Sequence, residues 1–477
     1  MFKKQQVYYM LKNYLLNIFP LTLLCISTFT SCERVFEEDN YIAYFGGEII
    51  NPQSKEVLFL KNGKVIDTIY LDEKNRFLHK FDSLAPGLYT FQHLPEYQYV
   101  FFDKNDSLMI RLNSHDFDNS LAFCGRGDEK NNFLIDQFLK NENELSSLYD
   151  ILVRNPKSFT KTIDSLYKIR TADYLKRRVE IGWSDAFDSV AKAGIDFNYY
   201  YKKEVYPVAH QYKTDTKVYD SLPNDFYNYR KHLNFSNSNF TNFSPFINYV
   251  TAFLNNKAFV KSDYKFEEFS LEDNIYKLNV ADTLIKDQKI KNVVLYNIAY
   301  RYLLKGERFF NNQEFIDRYL ALSTDNEQKA EFKTIYDAVQ NLKVGNTLPN
   351  IDLIDRDLNP VAVNTLTKDK KTVVFFWTTH ADSHNKSVHK KIKLYQEKYP
   401  DVNFVAININ DSNENWLKVL NENNLSQVTE LKSTKFQDIK ENWVITRVHR
   451  TIVLNPDGTI KNAFANVFDI NFGKELE

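Results

Sequence analysis

The sequence predicts a multidomain chain of α+β and α/β class, with an N-terminal β-sandwich, an α-helical middle region and a C-terminal α/β domain. Three observations carry this. Short apolar runs punctuated by turn residues fill positions 41–127. Apolar residues at helical spacing dominate 128–342. Strand and helix patterns alternate over 343–477. The 477 residues are enough for such a division. Lys plus Arg (61) balances Asp plus Glu (62) and no basic block occurs, so nucleic acid is not an expected partner. Only 12 glycines are present, and neither G-x-x-x-x-G-K-[ST] nor G-x-G-x-x-G occurs, which argues against a phosphate-cradling loop.

Residues 1–31 read as a secretory signal. Lys3, Lys4 and Lys12 form a basic start, Tyr14 to Ile26 is apolar, and small or polar residues follow. The ending Phe29-Thr30-Ser31-Cys32 resembles a bacterial lipobox, which implies cleavage before Cys32 and lipidation of that cysteine. An acyl chain then anchors the protein, each buried methylene contributing about 0.8 kcal/mol. Residues 32–40 form an acidic tether through Glu33, Glu37, Glu38 and Asp39. This stretch resembles outer-membrane sorting or surface-export signals of Gram-negative lipoproteins, and it reads equally as a solvated linker. Of the three cysteines, Cys25 leaves with the signal and Cys32 takes the lipid. Cys124 is then the single thiol, unable to form an intramolecular disulfide or to cycle as a dithiol. It is expected to be a small buried hydrophobe.

In 41–127, EVLFLKNGKVIDTIYLD places two strands around Asn62-Gly63, a hairpin signal. Ala85-Pro86-Gly87 marks a turn before LYTFQHL, and YVFFD and SLMIRLN are expected to pair across Lys104-Asn105-Asp106. In 128–342, FLIDQFLKNENELSSLYDILV, IYKLNVADTLIKDQKIKNVVLYNIAYRYLL and FIDRYLALSTDNEQKAEFKTIYDAVQNL carry helical periodicity, and their abundant Tyr and Phe are expected in the core. In 343–477, KTVVFFW and VNFVAININ are continuous apolar runs of the kind found in buried parallel strands. SHNKSVHKKIKLYQEKYP and NENWLKVLNENN are helical, and HRTIVLNPDGTIKNAF is a hairpin.

The quoted residues VGNTLPNIDLID (344–355), Phe375-Phe376-Trp377, VNFVAININ and LNPDGTI resemble the thioredoxin-like family, specifically its envelope-tethered TlpA/ResA branch. The sandwich, with its closing G-x-G and NNFL, is similar to the β-domain that often precedes such a domain in envelope lipoproteins. The resemblance implies a C-terminal thioredoxin-like fold and a thiol-disulfide oxidoreductase ancestry. In that branch the strand continues F-W-x-x-W-C-x-x-C. Trp377 matches, His380 stands at the second tryptophan, and Ala381 and His384 stand at the two cysteines. The family's proline before the late strand is His449 here. Both redox features are lost, because the nucleophile is a thiolate and alanine supplies none.

His380, His384, His389 and His449 are four of the nine histidines. The resemblance implies that His384 and His449 face each other, so His380, Asp382, His384 and His449 are candidate ligands for zinc or copper. The alternative is an exposed polar loop left after loss of the cysteines. H-E-x-x-H and G-x-S-x-G are absent. Asp followed by Ser or Thr and an aliphatic residue recurs at Thr68, Ser83, Ser107, Ser165, Ser189, Ser221 and Thr283. The pattern resembles an O-glycosylation sequon of Gram-negative envelope proteins, and turn or cap chemistry explains it as well.

The expected protein is therefore a lipid-anchored outer-membrane component facing the periplasm or the surface. Its redox-inactive domain would serve as a binding or scaffold accessory of an envelope protein complex, with no cofactor and no enzymatic role. The rival expectations are a thiol-disulfide oxidoreductase of the TlpA/ResA type and a metal-binding protein using the histidine cluster.

Overall fold

A computed structural model of the chain describes residues 41–477 except 95, 266–269, 305–312, 368, 423–427 and 470. The signal segment, Cys32 and the tether lie outside the described residues.

The first eight strands are β1 (Ala43–Ile50), β2 (Glu56–Lys61), β3 (Lys64–Tyr70), β4 (Arg76–Phe81), β5 (Gly87–His93), β6 (Glu96–Phe102), β7 (Ser107–Asn113) and β8 (Ala122–Arg126). They form two four-stranded sheets in the orders β4-β1-β7-β8 and β3-β2-β5-β6. Alternate residues point inward, and Phe45, Phe59, Phe91 and Phe102 meet edge-on or tilted at ring separations of 5.5–6.1 Å. Asn62 and Gly63 both adopt positive φ, as the two-residue β2–β3 hairpin requires. The expected pairing of YVFFD with SLMIRLN does not occur. β6 pairs with β5, and β7 crosses to the other sheet between β1 and β8. The short link between them is a sheet-to-sheet corner, which a turn signal cannot distinguish from a hairpin.

A buried ion cluster fixes that corner. Lys130 reaches Asp103 at 2.8 Å and Asp106 at 2.5 Å, from the first turn of the helix that follows the sandwich. Gly127 sits beneath it with φ 96°, where a Cβ would come within 2.6 Å of the Asp106 carboxylate. Only glycine satisfies both the backbone and the space.

After the one-turn α1 (Phe117–Ser120), the middle region runs α2 (Asp128–Ser146), α3 (Leu148–Leu152), α4 (Pro156–Ile181), α5 (Asp185–Thr214), α6 (Ser244–Lys261), α7 (Leu271–Leu284), α8 (Gln288–Leu303), α9 (Gln313–Leu322) and α10 (Asn326–Asn341). Side chains of Asn155, Ser184, Ser270, Asp287 and Asp325 accept from first-turn N–H groups and set five of these starts. Two of the long periodic runs are each split into a helix pair, at 285–287 and 323–325, where Asp287 and Asp325 cap the second member. As expected, the aromatics are core: Tyr249, Tyr302 and Tyr319 are fully buried. The helices also clasp the sandwich. The Tyr99 hydroxyl of β6 donates to Asn242 O (3.0 Å) and accepts from Ser244 N (2.8 Å).

The C-terminal domain comprises β9 (Leu353–Ile354), β10 (Pro360–Val361), β11 (Thr372–Trp377), α11 (Asp382–Lys398), β12 (Asn403–Asn408), α12 (Asn413–Glu422), β13 (Thr429–Ser433), α13 (Phe436–Asn442), β14 (Arg450–Leu454), β15 (Ile460–Asn466) and α14 (Gly473–Leu476). The sheet order is β10-β9-β13-β12-β11-β14-β15, with β11, β12 and β13 parallel and β14 antiparallel to β11. Val373, Phe375 and Trp377 pack with Val388, Ile392 and Trp416 on one face. Val374 and Phe376 pack with Ile439 and Trp443 on the other, and Ala338 and Val339 of α10 join that core. The middle region and the last domain thus share apolar packing. No described helix is long and apolar enough to cross a membrane.

Burial pushes the Asp106 carboxyl up and Lys130 opposes it. Lys130→Met leaves that carboxylate unpaired and is expected to cost about 3–5 kcal/mol at neutral pH. Without the lysine the folded-state value rises further above the unfolded one, so the loss shrinks as the pH falls toward the unfolded carboxylate value. Urea unfolding at pH 7 and pH 4.5 checks this, and a loss independent of pH would contradict it.

Candidate functional site

β11 is buried along all six residues, as the central strand of a sheet covered on both faces must be. Its carboxyl end opens into Thr378, a short 3₁₀ turn at Thr379–Ala381, and α11. This corner lies at the carboxyl edge of the parallel strands, where open α/β sheets bind ligands. Ala381 stands at the N-cap of α11 and offers no side-chain cap. His384 lies one turn in. Its Nε2 hydrogen-bonds Phe376 O (3.1 Å), so this nitrogen carries the proton, and its ring meets Phe468 edge-on. Burial holds its imidazolium form below the ordinary 6.5, the Phe376 carbonyl opposes that, and the charge on His389 adds to it. His449, immediately before β14, is also lowered, by burial first and then by Arg447 and His384.

Two buried carboxylates organise the corner. Asp411, after β12, accepts from Thr379 N (2.8 Å), Thr379 Oγ1 (2.5 Å), Thr378 Oγ1 (3.2 Å) and Asn408 Nδ2 (2.5 Å), and His380 Nε2 stands 3.4 Å away. It therefore ties the loop holding His380 and Ala381 to the end of β12. Glu430, on β13, accepts from Trp377 Nε1 at 3.0 Å and meets His389 Nε2 at 3.1 Å. The other His389 nitrogen faces Asn385 O at 2.9 Å. Lys432 is buried on the same strand, donates to Ser433 O, and is pushed down by burial against the opposing pull of Asp411.

The metal expectation is not met by this geometry. Among the described residues no three His, Cys, Asp or Glu side chains are grouped so as to hold a metal ion. His380 turns to Asp411 and His384 to the Phe376 carbonyl, so the imidazoles address different partners. The Asp382 side chain lies outside the described residues. Cys124 is also a correction: it is exposed on β8 rather than buried, because Phe123 takes the inward position of that short strand. In the Asp-Ser/Thr series, Ser83, Ser165, Ser221 and Thr283 are exposed and Thr68, Ser107 and Ser189 are half-buried. The turn explanation covers Asp106, which accepts from Asp103 N, whereas Asp67 accepts from Thr68 N within β3. Asp164 and Asp188 instead bond Tyr199 and Tyr174.

Asp411, Glu430, Asn408 and Lys432 were not found from the sequence. Asp411 reads as a loop residue before the Ser412 turn, and Glu430 and Lys432 interrupt the apolar run that would have marked β13.

Two outcomes follow. Asp411→Ala strands the donors it collects and is expected to cost about 3 kcal/mol or more in denaturant unfolding; a change within about 0.5 kcal/mol would contradict its role. His384 and His449 both have lowered folded values, so their contribution to stability is present above 6.5 and lost as the pH falls through the folded values. Melting temperature should drop on going from pH 7.5 to pH 5.5, and His384→Gln/His449→Gln should flatten that slope.

A family model described as thioredoxin-like matches residues 369–460. Similar solved structures include the thioredoxin domain of a thiol-disulfide oxidoreductase from Bacteroides vulgatus, at 21% identity over 28% of this chain and 99% of that one, with a TM-score of 0.24. A thiol-disulfide oxidoreductase from Bacteroides fragilis aligns at 15% identity over 28% and 100%, TM-score 0.24. A thiol:disulfide interchange protein from Bacteroides sp. aligns at 23% identity over 26% and 81%, TM-score 0.22. No curated protein matches the chain.

Proposed function

We propose that the protein is a lipid-anchored envelope component whose thioredoxin-like domain serves as a binding or scaffold module of an envelope protein complex, without dithiol chemistry. The observation that carries this reading is the content of the corner. The two positions of the cysteine pair hold Ala381 and His384, and the His384 imidazole is bound to the backbone of β11. The thiol that remains in the mature chain, Cys124, sits exposed on the sandwich. A dithiol cycle needs two thiols within one S–S bond of each other. What remains is a rigid corner with polar side chains at its mouth, held from beneath by Asp411 and Glu430. The outer-membrane location rests on the lipobox at Cys32 and the acidic tether that follows it.

Affinity isolation from native membranes in mild detergent tests the accessory role. A partner retained at fixed stoichiometry is expected; a protein that elutes alone would overturn the reading. The scaffold itself is tested by restoring the pair. Ala381→Cys/His384→Cys is expected to form an intramolecular disulfide on mild oxidation. The thiol at 381, at a helix N-terminus, should titrate below the free-cysteine value of about 8.5. A folded double variant that keeps both thiols free under oxidant would show that the corner no longer has the dithiol geometry.

A further inference from the structure

A cavity of about 430 Å³ lies between β6 of the sandwich and helices α2, α4, α5 and α6, well apart from the thioredoxin-like domain. That volume is within the range of small-ligand sites. Its walls are aromatic. The hydroxyls of Tyr99, Tyr167 and Tyr199 are tied to Ser244, Asp196 and Asp164, so the rings are fixed. At its deep end two cations share one carboxylate: Arg170 Nε meets Glu144 Oε1 at 2.8 Å, and Lys202 Nζ meets Glu144 Oε2 at 2.9 Å. Arg170 is 8% exposed and Lys202 4%. Arg170 Nη1 is taken by Gln137, whereas Nη2 has no hydrogen-bond partner among the described residues. Lys202 Nζ also donates to Asn141 Oδ1 (3.0 Å) and Asn198 O (3.5 Å), so the open donor is the Arg170 guanidinium edge, which a further carboxylate matches. Glu96, Asp118 and Glu142 also line the cavity; Glu96 and Glu142 are exposed, and the half-buried Asp118 accepts from Gln98 Nε2 at 3.0 Å.

A second observation points the same way. Gly194 lies inside α5 and lines the cavity. A Cβ there would meet only the Phe243 ring, at an ordinary 3.5 Å. Glycine in a helix interior is less stable than alanine, and neighbouring atoms leave room for the larger residue. The open volume is what the glycine preserves.

We propose that this cavity binds a small carboxylate with an aromatic or apolar body, its carboxylate on the Arg170 Nη2 edge. Arylacetates and similar aromatic acids belong to this class. Calorimetric titration of the full mature chain with phenylacetate and phenethylamine tests it. Saturable binding of phenylacetate is expected, with phenethylamine at least about tenfold weaker, because a ligand without a carboxylate leaves the buried guanidinium edge unpaired. Arg170→Gln should abolish binding. Since that variant also breaks an ion pair, Gly194→Leu is the second arm: it fills the cavity without touching a charge, and it should keep the wild-type melting temperature and lose binding. The proposal is overturned by no saturable phenylacetate binding up to about 10 mM, by equal binding of phenylacetate and phenethylamine, or by full binding in a folded Gly194→Leu variant.

Discussion

Six consecutive residues, Thr372 to Trp377, are buried on both faces of one sheet, and the rest of the C-terminal domain is arranged around that constraint. A strand with no solvent face must be covered twice. Here α11 and α12 cover one face while α13 and the end of α10 cover the other. Polar groups that enter such a layer have to be paired within it. That is why Asp411 and Glu430 are so fully bonded: Asp411 closes the carboxyl end of β12, Glu430 sits within β13, and together they hold the loop and helix that carry Ala381, His384 and His389. The corner keeps its shape through carboxylate–donor bonds.

The same logic applies at the other end of the molecule. Lys130, Asp103 and Asp106 form a compact buried cluster where the sandwich hands over to the helices, and Gly127 makes room for it. The helical middle is bonded to the sandwich through Tyr99 and packed against the last domain through α10. The thioredoxin-like domain is thereby held on a support.

Much of the fold could be read from the residues. β11 and β12 are continuous apolar runs, which only strands buried on both sides tolerate, and Asn62-Gly63 and Asn455-Pro456-Asp457-Gly458 are turn chemistry with one reading each. The thioredoxin-like order and the lost cysteine pair were equally legible. What escaped shares a cause: its partners lie far along the chain. Glu430 looks like a surface residue until His389, 41 residues earlier, and Trp377, 53 residues earlier, are seen to bond it. The β6–β7 corner looked like a hairpin because nothing local records which sheet a strand joins. Cys124 looked buried by residue type, and only the alternation of a short strand against Met109 and Ile110 places it outside. The histidines were read as one cluster by position; their hydrogen bonds divide them between Asp411, Phe376 and Glu430.

The central claim is that the fold persists with the dithiol chemistry gone. The most direct measurement is insulin disulfide reduction by the purified mature chain, alongside a Cys124→Ser variant, with dithiothreitol as the electron source. The account predicts that neither exceeds the rate with dithiothreitol alone. Sustained turnover by the mature chain, whether or not Cys124 is present, would contradict it.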